Sequence, residues 1–330
     1  VAGILMAQRW RELGFEWEEF RDTFRYVRWG WVVSAAAVAL ITYLGRALRW
    51  RVLIRGVKPN ASLWNLTTAT AIGFTALVFF GRAGEIVRPY LIAAKEKVPF
   101  SSQIAAWMLE RIYDLLTALL LFGFALSRVQ SAGLSVGPNL SWVLEIGGTL
   151  AGIVAVIALT LLILFSRYAQ TTERRLLEAL SFLSPERLAS ITRITSAFRQ
   201  GMESSGSRGF VYLVSFYSVL EWALIVTSYS CLFKAFPATS SFNLTDVIIF
   251  VGFVAFGSVI QLPGVGGGVQ VVSVLILTEL YTIGLEAASG VALMLWLITF
   301  VVIVPVGVLL AFHDGLTWHK LRGIKEDVSL

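Results

Sequence analysis

The chain has 330 residues, of which 57% are hydrophobic and only 15% charged, with a formal net charge of +6. Soluble domains carry roughly 45 to 50% apolar residues, so water is not the main solvent of this chain. One cysteine (Cys231) and two histidines near the C-terminus leave no internal disulfide and little for a zinc or redox centre, and the basic excess is read as residues kept on the cytoplasmic side of a membrane rather than as a nucleic-acid surface.

Five stretches are free of charge over a length that suits a bilayer: Trp29 to Gly45, Asn60 to Gly81, Ile146 to Phe165, Val247 to Thr278 and Ala287 to Phe312. A spanning helix needs about 20 apolar residues, and the eleven tryptophans suit two membrane–water interfaces. The opening run Val1 to Ala7 leaves room for a preceding helix or signal segment, and residues 1–28 are read as an interfacial N-terminal segment.

Loop charge sets the expected path. Arg9 to Arg28 holds five Arg against four Glu and one Asp, whereas Arg46 to Lys58 holds four Arg and one Lys with no acid. The positive-inside rule puts Arg46 to Trp64 in the cytoplasm and runs the first span, about Trp29 to Leu48, inward. Ser127 to Ser141 has one base, and Ser166 to Arg208 has seven Arg against four Glu. Ser102 to Leu126 then runs outward, Gly147 to Phe165 inward, Phe210 to Phe233 outward and Ala287 to Phe312 inward. For this path to close, residues 60–91 must enter and leave from the cytoplasm and residues 247–281 from outside. Each is interrupted where such a turn is needed, by Gly81-Arg82-Ala83-Gly84 and by Pro263-Gly264-Val265-Gly266-Gly267-Gly268. The alternative for the first is a complete span from Asn60 to Gly81, which would place Arg82, Arg88, Lys95 and Lys97 outside.

The expected fold is therefore an all-α polytopic membrane protein of two inverted-topology units, each with a re-entrant broken-helix hairpin. The first unit is 29–165 with hairpin 60–91, and the second is 210–312 with hairpin 247–281. Ile72-Gly73-Phe74-Thr75-Ala76 and Val251-Gly252-Phe253-Val254-Ala255 echo one another before the two breaks. Inverted repeats with matching broken helices point to a transporter's midplane site. Between the units, 166–209 is a cytoplasmic linker. Within it Leu176, Leu177, Leu180 and Leu183, then Leu188, Ile191, Ile194 and Phe198, form two apolar stripes that suit either an anionic membrane surface or a packed linker. Residues 313–330 form a cytoplasmic tail.

Three sets of residues are candidates for binding. Arg82, Glu85 and Arg88 flank the first break near Gly84; with a half-helix N-terminus they suit a phosphate, or they pin the hairpin through salt bridges. Glu110 and Asp114 share one helical face with Arg111 beside it. A pairing of this set with Arg82 or Arg88 is expected, because neither set is cheaply left unpaired in a low-dielectric interior. Glu221, alone near the middle of its span, must be protonated or partnered. Gly266 and Gly267 could cradle a phosphate with backbone N–H groups or simply allow close packing at the second hairpin; no Gly-Lys-Ser/Thr follows, so the loop is not a nucleotide-binding P-loop.

The stretches Gly81 to Leu91 (GRAGEIVRPYL) and Leu109 to Leu116 (LERIYDLL), followed by the Pro263 to Gln270 loop, resemble the flippase-like family, that of the lysylphosphatidylglycerol synthase transmembrane region. The resemblance covers roughly Trp29 to Phe312. It implies a membrane domain that moves a phospholipid or lipid-linked molecule between leaflets, here in a bacterial cytoplasmic (inner) membrane, with a homo-oligomer as one option. The chain departs from the family at Gln270, where many relatives have Glu, and around Leu295 to Leu297, where many have Arg; both departures remove charge from the second hairpin and shift weight to the first. No transferase domain follows His313, so an enzyme is not expected. The competing readings are an accessory or scaffold subunit of envelope lipid or glycan synthesis and an enzyme acting on a lipid headgroup. With no cofactor and no ATP-binding motif, net transport would draw on an ion gradient or a downstream sink.

Overall fold

The computed structural model describes residues 15–131, 147–160, 192, 208–257 and 268–315. Among these every regular element is helical and there is no strand. In chain order they are α1 (Trp17–Thr23), α2 (Trp29–Leu53), α3 (Leu63–Phe80), a 3-10 turn (Gly81–Ile86), α4 (Val87–Glu96), α5 (Phe100–Ser131), α6 (Gly147–Thr160) and α7 (Arg208–Ala235). There follow α8 (Leu244–Gly257), α9 (Gly268–Glu279), α10 (Leu285–Trp296), a π turn (Leu297–Val301) and α11 (Val304–His313). Five segments are long and apolar enough to cross a bilayer: Trp29–Leu53, Leu63–Glu96, Phe100–Ser131, Gly209–Ala235 and Leu285–His313. The linker stripes of residues 172–200, Gly266 and Gly267, and the tail beyond Gly315 lie outside the described residues.

Leu63–Glu96 is not one straight rod. Gly81 has φ 60° and ψ −145°, a backbone that side-chain-bearing residues rarely adopt, and the chain turns there. α4 then packs back on α3. A Cβ placed on Gly73 would sit 3.0 Å from the Arg88 Cα, and one on Gly84 would sit 2.4 Å from the Ala76 carbonyl oxygen. The two ends of the hairpin meet: Glu96 accepts from the Ser62 backbone N–H at 3.2 Å and from Asn65 Nδ2 at 2.8 Å. The break falls at Gly81, within the Gly81-Arg82-Ala83-Gly84 interruption, but no half-helix starts at Gly84: the 3-10 turn carries the chain on into α4, which begins at Val87. α8 and α9 also bring their outer ends together, since Tyr281 donates its hydroxyl to the Asp246 carbonyl at 3.2 Å and its ring lies 4.4 Å from that of Phe242.

The chain divides into two compact units. The first comprises the described parts of Val1–Ala39, Thr117–Ala155 and Ala223–Thr299, and the second those of Leu40–Leu116, Val156–Trp222 and Phe300–Leu330. The core of the first unit is aromatic. Phe233 meets Phe250 edge to face at 4.9 Å, Phe122 meets Phe253 at 5.4 Å, and Phe24 meets Phe236 at 6.1 Å. In the second unit Ala47, Trp50, Leu53, Leu66, Ala69, Ile92, Ala105 and Leu109 are buried together, with Phe210 and Val214 of α7. This apolar layer adjoins the one concentration of buried charge among the described residues.

Candidate functional site

Buried positions along α2 recur as Ala35, Ala39, Tyr43, Ala47 and Trp50, a helical stripe that keeps one face inside. Arg46 and Arg49 lie on the same side. α2 continues to Leu53 instead of stopping near Leu48, and this extra turn carries Arg49 into the interior, fully buried. On α7 the series Phe210, Val214, Ser218 and Glu221 repeats every three or four residues and brings Glu221 to the same place. α5 supplies Glu110, Arg111 and Asp114, and α4 supplies Arg88 in its first turn.

Arg49 is the hub. Its Nη1 donates to Asp114 Oδ1 at 2.6 Å and to Ser218 Oγ at 3.2 Å, and its Nη2 donates to Glu110 Oε1 at 2.6 Å and Asp114 Oδ2 at 3.2 Å. Its Nη2 also stands 3.1 Å from Glu221 Oε2. Arg46 Nη2 holds the other oxygen of Glu221 at 2.8 Å. Arg88 grips both oxygens of Glu110, one at 3.3 Å and the other more closely. Arg111 pairs with Asp114 at 3.1 Å and lies 3.6 Å from Glu110. The expected link from α5 to the hairpin is therefore made, by Arg88 with Glu110.

Aromatic faces complete the lining. The Arg88 guanidinium lies 4.1 Å from the Trp50 ring centroid and 5.3 Å from that of Phe74, and Arg46 lies 4.7 Å from Phe74. Partly dehydrated guanidinium groups gain from such contacts. Trp50 is oriented in turn by its Nε1–H bond to Gln103 Oε1 at 3.0 Å. Three guanidinium Nε atoms, on Arg46, Arg49 and Arg111, are buried without a hydrogen-bond partner among the described residues, as are Glu221 Oε2 and Trp222 Nε1. Accessibility is graded. The Arg111 side chain is 38% exposed, Asp114 17% and Arg46 16%, while Arg49, Glu110, Glu221 and Arg88 are buried. Arg111 is therefore the most accessible member of the cluster, and Arg49 and Glu110 are the least.

The remaining sequence candidates fall as follows. Arg82 is exposed on the 3-10 turn; Glu85, half-buried on the same turn, is near enough to Arg111 to act on it electrostatically. Gly84 is buried, and its lack of a side chain is required by the contact with Ala76. Gln270 is half-buried on α9, in the unit that does not hold the cluster. Arg46, Arg49, Ser218 and Trp50 are not among the sequence candidates. Arg46 and Arg49 read as loop charges in sequence, yet the buried stripe of α2 continues through them.

The family described as the lysylphosphatidylglycerol synthase TM region matches residues 1–307, and the chain belongs to it. It is an integral, multi-pass membrane protein. A 103-residue stretch is similar, at 34% identity, to "Glycosyltransferase AglD" of Haloferax volcanii. That match covers 31% of this chain and 16% of the relative, so the chain spans about a sixth of that protein's length. No solved structure matches.

Proposed function

We propose, for this member of the lysylphosphatidylglycerol synthase TM region family, that the chain moves a lipid or lipid-linked molecule with an anionic headgroup between leaflets and that the arginine cluster handles the headgroup. The observation that carries this reading is Arg49, a fully buried arginine shared by Glu110, Asp114 and Glu221 inside a chain with bilayer-length helices. Ionisable groups at membrane depth are costly and are kept where they serve a path for substrate or ions. A phosphate meets Arg111 and Arg46 first, the two most exposed arginines of the cluster. Guanidinium groups can replace the water of a phosphate with charge-assisted, paired hydrogen bonds. Arg82, exposed on the turn beside Glu85, is suited to first contact, while acyl chains stay in the bilayer. In this reading residues 63–96 and 244–279 are re-entrant hairpins that enter from opposite faces, as inverted repeats do. The three carboxylates are held in ion pairs with arginine, which supports binding over acid–base catalysis.

The test is reconstitution of purified variants into vesicles, following transbilayer movement of a fluorescent phosphatidylglycerol beside a fluorescent phosphatidylcholine. Arg111→Gln and Arg46→Gln are expected to slow the anionic lipid by roughly tenfold or more, the equivalent of one charge-assisted bond, and to spare the zwitterionic one. Arg88→Lys, which keeps charge without the planar fork, should fall between wild type and Arg88→Gln. Unchanged movement of the anionic lipid in both Arg111→Gln and Arg46→Gln, at equal folded yield, refutes the headgroup role. A second reading draws on the stretch similar to a protein named glycosyltransferase: the chain then serves as a membrane subunit beside envelope glycan or lipid synthesis. That reading expects no lipid movement by the chain alone.

A further inference from the structure

Four arginines, Arg46, Arg49, Arg88 and Arg111, face three carboxylates, Glu110, Asp114 and Glu221, within ion-pair reach. An anion that draws one of these arginines away leaves its carboxylate short of a partner, and an uncompensated charge in a low-dielectric interior is strongly disfavoured. The loss can be met if that carboxylate takes up a proton.

The three fully ion-paired carboxylates are not held equally. Glu110 is gripped through both oxygens by Arg88 and also accepts from Arg49, and Asp114 is bound bidentately by Arg49 with Arg111 behind it. Glu221 has one oxygen on Arg46 at 2.8 Å, while its Oε2 stands 3.1 Å from Arg49 without accepting a hydrogen bond. The groups that face it are Arg46, Arg49 and Tyr43 from α2, with Glu110 and Asp114 from α5 across Arg49. On its own helix its neighbours are Ser218, which accepts from Arg49, and Trp222. Arg88 and Arg111 act on the set through Glu110 and Asp114. Arg46, the arginine that holds Glu221, is also one of the two accessible ones. An anion that engages Arg46 therefore competes directly with the weakest-held carboxylate of the cluster.

We propose that binding of a phosphate-bearing headgroup at Arg111 and Arg46 is coupled to protonation of Glu221, so that the site takes up one anion and one proton together. This rests on the headgroup reading above and adds its energetics: an O–H bond forms on a carboxylate oxygen as one breaks in an aqueous hydronium ion, and no other covalent bond changes. Linkage then gives the sign. Where binding takes up a proton, affinity rises as pH falls, by up to about tenfold per pH unit for one proton. A proton gradient can consequently drive movement of the anion in the direction of proton flow.

The experiment uses the full chain in nanodiscs of zwitterionic lipid, with dihexanoylphosphatidylglycerol as the lipid probe and inorganic phosphate as the free-anion probe. Calorimetric titration in buffers of different ionisation enthalpy reads proton uptake and affinity together. Wild type is expected to take up about one proton per bound headgroup, and Glu221→Gln to bind the same probe with no uptake and a flat pH profile. Glu221→Asp, which keeps a titratable group, should retain uptake and guards against a folding defect in the amide variant. Response to the lipid probe alone assigns the site to a headgroup, and equal response to inorganic phosphate assigns it to a free phosphate; either supports the coupling if uptake is present. Binding without uptake in wild type, or uptake that persists in Glu221→Gln, overturns the coupling and leaves the headgroup reading intact. Absence of binding by both probes overturns both.

Discussion

Ile72-Gly73-Phe74 on α3 and Val251-Gly252-Phe253 on α8 are the same pattern used toward two kinds of neighbour. In each, the glycine admits a close approach: Gly73 lies against the Cα of Arg88 on the returning arm of its own hairpin, and Gly252 against the Leu121 carbonyl of α5. In each, the phenylalanine that follows makes an aromatic contact. Phe74 meets the ring of Tyr43 and also the guanidinium groups of Arg46 and Arg88, whereas Phe253 meets the ring of Phe122. One hairpin is thus built around charge and the other around aromatic packing. From Val247 to Thr278 the second has no charged residue at all. Similar backbone requirements are met twice, and among the described residues buried charge stands at one of the two places.

Five changes would sharpen or break that contrast. The largest effect is expected from Arg49→Met, which strips the hub from three carboxylates; removing one partner of a buried ion pair costs about 3 to 5 kcal/mol. The matching experiment is thermal unfolding in detergent, where a loss below about 1 kcal/mol would mean that the carboxylates find water. Gly84→Ala should follow at about 3 kcal/mol, because its Cβ would be driven into the Ala76 backbone and the arms forced apart. Crosslinking between cysteines placed on α3 and α4 would report the opening. Phe253→Leu should cost about 1 kcal/mol of stability with little effect on lipid movement, an aromatic pair being worth about that much. Phe74→Leu should cost a similar amount yet slow anionic-lipid movement, since it faces two guanidinium groups. Equal transport defects in the two phenylalanine variants would erase the distinction between the hairpins. The smallest change is Glu96→Gln, which weakens the charge-assisted closure of the first hairpin by about 1 kcal/mol and should show as faster hydrogen exchange at Ser62 and Asn65.

What the sequence disclosed depended on whether a feature was local. The long apolar helices Trp29–Leu53, Phe100–Ser131, Gly209–Ala235 and Leu285–His313, the turn at Gly81 and the pairing of the hairpin with α5 were legible, because apolar length, glycine and unpaired buried charge each have a short-range signature. The second-hairpin tip and the linker stripes remain as expectations. The role of Arg49 was not legible, since an arginine at the end of an apolar run is usually a loop charge, and only the extra turn of α2 to Leu53 carries it inside. Glu221 looked solitary because its partners are about 170 residues away in sequence. The π turn at Leu297–Val301 also interrupts what reads as one unbroken apolar run.

The clamp on the first hairpin has a consequence for how the chain is made. Lys95 donates to Thr68 at 2.5 Å and forms an ion pair with Asp314. Gly307 fits against the Thr75 side chain and the Ala71 carbonyl, with no room for a Cβ. Both contacts join residues more than 200 positions apart in the chain. Glu221 likewise reaches Arg46 and Arg49 only after α7 has emerged. A nascent chain therefore holds these arginines partly unpaired until α7 has emerged, and the hairpin acquires its fastenings to Gly307 and Asp314 only with α11. Chains stalled or shortened before α11 should be recognised as unfinished and degraded, which makes the emergence of α11 a checkpoint on membrane assembly.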